Sequence, residues 1–171
     1  GLRSQAACCW RGNAAGQGGF FFFARFGIST YHANMQILCG LASLTTALAG
    51  DPSALNDSCG MSKDTGETTW QVYTRDTSSA SKTSTGHTTA AGGSAEVFDF
   101  TMFCKPNDSK ITMRVVDITS STVLVDNVEK SSNLPTNTVM LYAHCESRNV
   151  TGGAGVTCGL FVNRIYIETD T

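Results

Sequence analysis

The stretch Gly19–Ile28 reads GFFFFARFGI and contains four consecutive phenylalanines, Phe20, Phe21, Phe22 and Phe23. Successive side chains of an extended chain point to opposite faces, so a strand over these residues carries aromatic rings on both sides. Aromatic residues favour strands, and this density is typical of a strand in a sheet or sandwich core. The stretch therefore predicts a central β-strand in an all-β domain.

Strand-like runs recur along the rest of the chain, with turn residues between them. Together they predict an all-β antiparallel β-sandwich of jelly-roll type, with an N-terminal segment 1–18 followed by one domain over 19–171. By contrast, Thr77–Gly93 is rich in Ser, Thr, Gly and Ala and predicts a long exposed loop. Met35–Ser43 fits a strand or a short helix. The other predicted strands are Thr68–Thr74, Ala95–Lys105, Lys110–Asp117, Thr122–Asp126, Thr138–Cys145 and Val156–Glu168.

The composition excludes several classes of protein. Only 15% of the 171 residues are charged, whereas 39 are Ser or Thr, and the formal net charge is -2. A nucleic-acid-binding domain would show a basic excess. No apolar run approaches the roughly 18 residues of a membrane helix, so we expect no membrane insertion. The start at Gly1, with neither initiator methionine nor signal-peptide pattern, leads us to expect a fragment or processed product.

The chain has seven cysteines, an odd number, and no C-x-x-C pair. Several of them lie in apolar runs, where a cysteine behaves as a small buried apolar residue. We expect most thiols to be reduced, and we predict no zinc or other transition-metal site and no cofactor. A calcium ion at the oxygen-rich stretch Gly50–Ser58 remains an alternative.

A search for catalytic groups finds no familiar arrangement. Glu96 and Asp99 lie three residues apart on one predicted strand and therefore on opposite faces, which does not suit a glycosidase carboxylate pair. The three histidines are scattered, and His144 and its neighbour Cys145 would face opposite sides of a strand. No nucleophile elbow or phosphate-binding glycine motif is present. From this we predict that the protein is not an enzyme.

An ordered set of motifs resembles a domain found near the C-terminus of bacteriophage tail-fibre and related virion proteins. The resemblance covers nearly the whole chain, from about residue 9 onwards. It is carried by Cys9–Gly16 (CWRGNAAG), Gly18–Phe22, Ala24–Ile28, the strand and turn Phe98–Pro106, the hairpin Ile111–Val125, Leu134–Thr138 (LPTNT) and Tyr166–Asp170 (YIETD).

The resemblance implies a lectin-like β-sandwich assembled as a homotrimer at the tip of a tail fibre. Such a domain would reside in the virion after assembly in the host cytoplasm. It would bind a host-surface receptor, a glycan or an outer-membrane protein, and would contact other virion proteins. The alternative is a structural virion protein, a capsid-decoration or tail-assembly component, which would bind virion proteins and no host cell.

Two groups of residues are candidates for these contacts. Exposed aromatic rings stack on sugar faces, so Trp70, Tyr73 and Tyr31 are predicted ligand contacts, with core packing as the alternative. Four consecutive phenylalanines put two rings on an outer face that a neighbouring subunit would cover, so Phe20 to Phe23 are predicted interface residues, with a strand buried wholly within one chain as the alternative. Trp10 and Arg11 are predicted as further subunit contacts.

Overall fold

The computed structural model describes residues 1–89, 95–150 and 159–170, which fold as a β-sandwich with two antiparallel sheets. The predicted all-β sandwich is confirmed. Within the described residues no helix is long and apolar enough to cross a membrane. The strands are β1 Leu2–Arg3, β2 Gly18–Thr30, β3 Met35–Ala42, β4 Ser58–Lys63, β5 Thr69–Arg75, β6 Ala80–Thr88, β7 Glu96–Cys104, β8 Ile111–Asp117, β9 Thr122–Lys130, β10 Tyr142–Asn149 and β11 Gly159–Asp170, with a 3₁₀ turn at Pro52–Ala54.

The chain passes repeatedly between the two sheets. One sheet has six strands in the order β1-β10-β3-β4-β5-β6, and the other has five in the order β11-β2-β7-β8-β9. Strands β8 and β9 form the hairpin predicted around residues 118–121. The central position of β2, between β7 and β11, agrees with the prediction from its phenylalanines.

The core lies between the sheets and is built from alternate residues of each strand. Phe22 and Phe26 of β2 point inward and are fully buried, as is Phe98 of the neighbouring strand β7. From the opposite sheet, Trp70 of β5 makes edge-to-face contacts with Phe26 and Phe98, and its ring centre lies 5.3 Å from that of Phe98. Aromatic pairs in this geometry gain energy beyond the burial of their area, so this cluster helps to fix how the sheets face each other.

Strand β3 is buried on both faces, which explains why its sequence shows no alternation. All eight residues of Met35–Ala42 are buried. One face packs into the core, while Leu38 and Ala42 on the other face pack under Leu48 of the loop formed by residues 43–57. We call this segment the covering loop. A strand covered on both sides reads as a continuous apolar run, which is why helix and strand could not be separated from the sequence.

The loop predicted over Thr77–Gly93 is wrong for most of its length. Residues Ala80–Thr88 form β6, which pairs with β5 and ends the six-stranded sheet. Its residues alternate between half-buried and exposed. An edge strand with little apolar burial can be built from Ser and Thr, so it lacks the apolar signal on which the prediction relied. Residues 90–93 lie outside the described residues.

The N-terminal segment 1–18 contributes a strand and a β-bridge to the sandwich. Strand β1 pairs with β10, and the backbone of Cys9 forms an isolated antiparallel β-bridge with that of Leu141. Gly12 and Gly18 both have positive φ, and their backbones approach so closely that a Cβ on Gly18 would lie 2.5 Å from the Cα of Gly12. Only glycine tolerates both conditions, so these positions fix the turn that leads into β2.

Candidate functional sites on the outer faces of the sandwich

Two of the three aromatic residues predicted to contact a ligand are buried. Trp70 lies between the sheets, and Tyr73 lies under the covering loop, where its hydroxyl donates to the hydroxyl of Ser58 at 3.1 Å. Neither side chain has any exposed surface. The prediction that Trp70 and Tyr73 form a sugar-stacking platform is therefore wrong. Large rings gain free energy by burial, and the covering loop closes the face of the sheet on which Tyr73 lies.

Tyr31 is half-buried and lines a cavity of about 340 Å³ together with His32, Glu67, Thr88 and neighbouring residues. Its hydroxyl donates to the backbone carbonyl of Glu67 at 3.0 Å. The ammonium group of Lys63 lies 5.2 Å from the centre of its ring, within range of a cation–π contact. The residue keeps surface in this cavity, and its role as a sugar contact stays a prediction.

The four phenylalanines divide between the two faces of β2. Phe20 and Phe22 are buried in the core, with exposed fractions of 3% and 0%. Their prediction as subunit contacts is therefore wrong, because they are covered within their own chain. Phe21 and Phe23 point outward and are half-buried, as the alternation requires. Their role as subunit contacts stays a prediction.

The outward phenylalanines belong to a larger group that we call the aromatic face. The strand register places Phe103 of β7 beside Phe21, and Tyr166 of β11 beside Phe23. Phe103 is 43% exposed and Tyr166 is 49% exposed. A cavity of about 540 Å³ lies among Phe21, Phe23 and Tyr166. Phe161, 41% exposed, extends the face toward the other end of β11.

Charged residues lie on and beside the aromatic face. Arg25 and Asp99 form a two-point ion pair across β2 and β7, with both N–O distances at 2.6 Å. The carboxylate of Asp99 raises the pKa of Arg25. The hydroxyl of Tyr166 donates to Glu168 at 3.0 Å, which raises the pKa of the tyrosine. Along β2 the ion pair lies between Phe23 and Gly27, the residue opposite Phe161, so charged side chains separate Phe161 from the other rings of the face.

Arg11 is bound within its own chain. Its guanidinium donates to the backbone carbonyl of Pro135 at 2.7 Å and to that of Asp108. These three residues come from the CWRGNAAG motif, the LPTNT motif and the turn after β7, so the arginine joins three separate parts of the sequence. The structure thus accounts for Arg11 without a neighbouring subunit. Trp10 beside it is half-buried, and its role as a subunit contact stays a prediction.

The outer face of the six-stranded sheet carries a row of polar residues on β10. His144, Glu146 and Arg148 point to the same side, because they are two residues apart on one strand. His144 is fully buried, with Nε2 2.9 Å from the carbonyl oxygen of Leu44 and Nδ1 3.2 Å from Glu146. The backbone N–H of Leu48 donates to Glu146 at 2.8 Å. The polar row therefore holds the covering loop in place.

Sequence reasoning missed this row. His144 was tested only against its neighbour Cys145, which does face the opposite side, into the core. The two-residue spacing of a histidine, a carboxylate and an arginine was a usable signal, since all three must share one face of a strand. What the spacing could not reveal was the loop that closes over them.

Other groups considered from the sequence have ordinary structural partners. His87 lies 3.0 Å from Glu96 and packs against Phe98. Glu96 and Asp99 lie on opposite faces of β7, as predicted. Within the proposed calcium stretch, the carboxylate of Asp51 accepts hydrogen bonds from Gln36 and from the backbone N–H of Thr65, both at 2.8 Å.

The six described cysteines form no disulfide in the structure, and their reduced state in the protein stays a prediction. All but Cys8 are buried, and burial is the main cause that raises the pKa of Cys104, to about 11. Thiols with a raised pKa are poor nucleophiles. Cys158 lies outside the described residues. No cluster of three or more metal-ligating side chains occurs within ranges 1–89, 95–150 and 159–170.

The comparisons with known proteins give a likeness of fold. No protein-family model matches the chain, and no curated protein matches it. Among solved structures, a crystal structure of an alginate lyase from Pseudomonas aeruginosa is similar, with a TM-score of 0.56 and 10% sequence identity. The match covers 94% of this chain and 67% of the lyase chain. At this identity the likeness establishes the shared sandwich alone.

This neighbour corrects the prediction that the protein is not an enzyme. The prediction was drawn from the lack of familiar catalytic motifs, yet a lyase is built on a similar sandwich. One fold hosts many unrelated functions, and catalytic groups on a sheet can be brought together from distant strands without a sequence motif. The missing motifs therefore do not exclude catalysis.

Proposed function

We propose that this domain binds a receptor on the host surface as the tip of a bacteriophage tail fibre, and that it does so as a homotrimer. The observation that carries the proposed trimer is the aromatic face. Phe103, Tyr166 and Phe161 are each more than 40% exposed, and they lie on one sheet face with Phe21 and Phe23. Contiguous exposed apolar patches mark interaction surfaces.

A second copy of the chain is the occupant that fits this face best. Phenylalanine dominates the patch, and phenylalanine offers a ligand no hydrogen bond, so apolar burial is its main contribution. Along β11, Arg164 lies two residues before Tyr166 and Glu168 two residues after it, which gives the patch a basic side and an acidic side. Contacts between unlike sides of the same chain form a closed ring when the rotation between neighbouring subunits closes, and a trimer is one such ring.

The proposed receptor is a cell-surface glycan. The fold resembles that of a protein named for its action on a polysaccharide, alginate. Ser and Thr make up 39 of the 171 residues and provide many hydroxyl groups for hydrogen bonding. The resemblance of the sequence motifs to tail-fibre domains supports the same role. The alternative, a structural virion protein, would use the aromatic face for assembly and would not attach to cells.

The experiment is a double substitution, Phe21→Ser with Phe23→Ser, which removes the centre of the aromatic face. We expect the variant to become monomeric and to lose attachment to susceptible cells, because trimers gain avidity from simultaneous contacts. Both properties are measured on one preparation, by light scattering behind a sizing column and by binding of labelled protein to cells.

The control is Met140→Ser, which removes an apolar side chain that is 47% exposed but lies outside the aromatic face. It should leave mass and attachment unchanged. Loss of the trimer in the control as well would show that the effect is not specific to the aromatic face. A trimer that attaches to no bacterial cell but binds other virion proteins would favour the structural alternative.

A further inference from the structure

A cavity of about 700 Å³ lies at the edge of the six-stranded sheet, on the side away from the aromatic face. Three segments form it: strand β1, the end of β10 and the covering loop, through Ala47 and Leu48. This volume is in the range of cavities that hold ligands of several rings. Two of its lining side chains are arginines, Arg3 and Arg148, and one is a carboxylate, Glu146.

The single carboxylate offsets at most one of the two positive charges, and its oxygens also have other partners within the chain. Oε2 of Glu146 accepts the backbone N–H of Leu48 at 2.8 Å, and Oε1 lies 3.2 Å from Nδ1 of His144. Arg3 approaches the same carboxylate only to 3.6 Å, beyond hydrogen-bond distance. No hydrogen bond joins the guanidinium of Arg3 to another described residue, so its donors are available to a ligand.

Arg148 is held at the other end of the cavity. Its Nη1 donates to the side-chain oxygen of Gln36 at 3.3 Å and to the backbone carbonyl of Ala49. Both bonds use Nη1, so Nη2 and Nε form no hydrogen bond to another described residue. A guanidinium that is fixed through one nitrogen and open at the others is well placed to bind an anion with little loss of freedom.

The spacing of the two arginines indicates an extended ligand. Arg3 lies opposite His144 in the strand register, and Arg148 lies four residues further along β10. At about 3.3 Å per residue, this separates the two positions by about 13 Å along the strand. An arginine at each of these positions, in a cavity of about 700 Å³, fits a chain with repeated negative charges better than one small anion.

We infer that this cavity binds an acidic oligosaccharide through carboxylate groups on separate sugar residues. Arginine binds carboxylates through two parallel hydrogen bonds, which supplies both affinity and orientation. None of the described residues that line the cavity is aromatic, so a neutral sugar would find no ring on which to stack. The inference names the chemistry of the receptor and therefore rests on the receptor-binding role proposed above.

The test is calorimetric titration of the purified chain with a trimer of galacturonic acid, at low salt. We expect binding by the unmodified chain, and at least about tenfold weaker binding by Arg3→Gln, because this variant loses the charge-assisted hydrogen bonds of one guanidinium. Arg3 is the residue to change first, since its loose ion pair makes it a minor contributor to folding. Arg148→Lys, which keeps the charge but loses the two-point geometry, should also weaken binding.

The matched control is Arg114→Gln, which removes an arginine of similar exposure on the outer face of the other sheet. It should bind the oligomer as the unmodified chain does. The neutral trisaccharide, in which the carboxyl groups have been reduced, should not bind. Inorganic phosphate should not displace the acidic trisaccharide. Equal binding of the neutral trimer, displacement by phosphate, or unchanged binding by Arg3→Gln would each overturn the inference.

The outcome can be separated from that of the proposed function by measuring cell attachment of Arg3→Gln in parallel. If the acidic trimer binds but the substitution leaves attachment unchanged, the cavity stands as a glycan site and the receptor role assigned to it fails. If the unmodified chain is a trimer that attaches to cells but does not bind the acidic oligomer, the receptor role stands and the inference about this cavity is wrong.

Discussion

The outer face of the six-stranded sheet lies under the covering loop, whereas the outer face of the five-stranded sheet carries aromatic rings that stay exposed. Tyr73 on the first face has no exposed surface, and Tyr166 on the second is 49% exposed. Both are tyrosines on strands of one sandwich, so the difference comes from what lies above them. A face that its own chain covers contributes to folding, and a face left open is available for binding.

The two faces also differ in how they hold charge. Under the loop, Glu146 and His144 are buried and each bonds to the loop backbone, since a buried polar group without a partner is costly. On the open face, Arg25 and Asp99 pair with each other in contact with solvent. Polar groups therefore position a segment of the chain on one side and lie among exposed aromatic rings on the other.

The largest expected effect on the free energy of unfolding comes from replacing Tyr73 or Tyr166, one on each outer face, by alanine. Tyr73→Ala should lower the free energy of unfolding by about 3–5 kcal/mol, because it leaves a cavity under the covering loop. Tyr166→Ala should lower it by less than about 1 kcal/mol, because its ring is half in solvent. Urea denaturation at low protein concentration measures both, since association then contributes least to stability.

Equal losses of unfolding free energy in Tyr73→Ala and Tyr166→Ala would contradict this comparison of the two faces. A small loss for Tyr73→Ala would mean that the covering loop does not pack on the sheet as described. A large loss for Tyr166→Ala in the dilute monomer would mean that the aromatic face stabilises the single chain and is not an open surface.

A smaller effect on the free energy of unfolding is expected from removing one glutamate on each sheet, Glu146 or Glu129. Glu146→Ala should lower the free energy of unfolding by about 1–3 kcal/mol, because the N–H of Leu48 loses its partner under the loop. Glu129→Ala, on the other sheet, removes an exposed ion pair with Lys110 and should cost less than about 1 kcal/mol. Denaturant unfolding measures both changes, and reversal of their order would contradict the account of the covering loop.

The smallest effect concerns acid stability at an exposed turn of the six-stranded sheet. The carboxylate of Asp76 accepts the backbone N–H groups of Ser79 and Ser78, which lower its pKa to about 2. An aspartate in the unfolded chain titrates near about 3.9, so this contribution is present above that pH and is lost as the pH falls toward 2.

Asp76→Asn should therefore destabilise the protein at neutral pH and show a smaller difference from the unmodified chain near pH 2. Unfolding followed at a series of pH values measures the difference. Ser79→Ala is the control, because it keeps both the carboxylate and its backbone partners and should keep the pH dependence. A constant difference between Asp76→Asn and the unmodified chain would show that the carboxylate is not held by the turn.

The sequence was sufficient for the fold where strands bury apolar residues. The phenylalanines of β2 and the apolar residues of β7 and β8 predicted these three strands, because burial on one or both faces leaves a direct pattern. It was insufficient for β6, a Ser- and Thr-rich edge strand that is held mainly by its backbone pairing with β5. Backbone hydrogen bonds do not depend on side chains, so such a strand has no pattern to detect.

The candidate sites were harder to predict because they depend on contacts between distant segments. Trp70 and Tyr73 were recognised as aromatic, but only the fold shows that the opposite sheet and the covering loop bury them. Phe103 and Tyr166 lie 63 residues apart in sequence, and they share the aromatic face only because β7 and β11 pair with opposite edges of β2. Side-chain alternation predicts which way a residue points, whereas strand order decides which residues become neighbours.

The central claim is that the aromatic face is covered by other copies of this chain, and the native mass of the unmodified protein tests it most directly. Light scattering behind a sizing column should give a mass near three times 18.1 kDa. A mass of 18.1 kDa that persists at high protein concentration would contradict the claim, because the exposed phenylalanines would then remain in solvent.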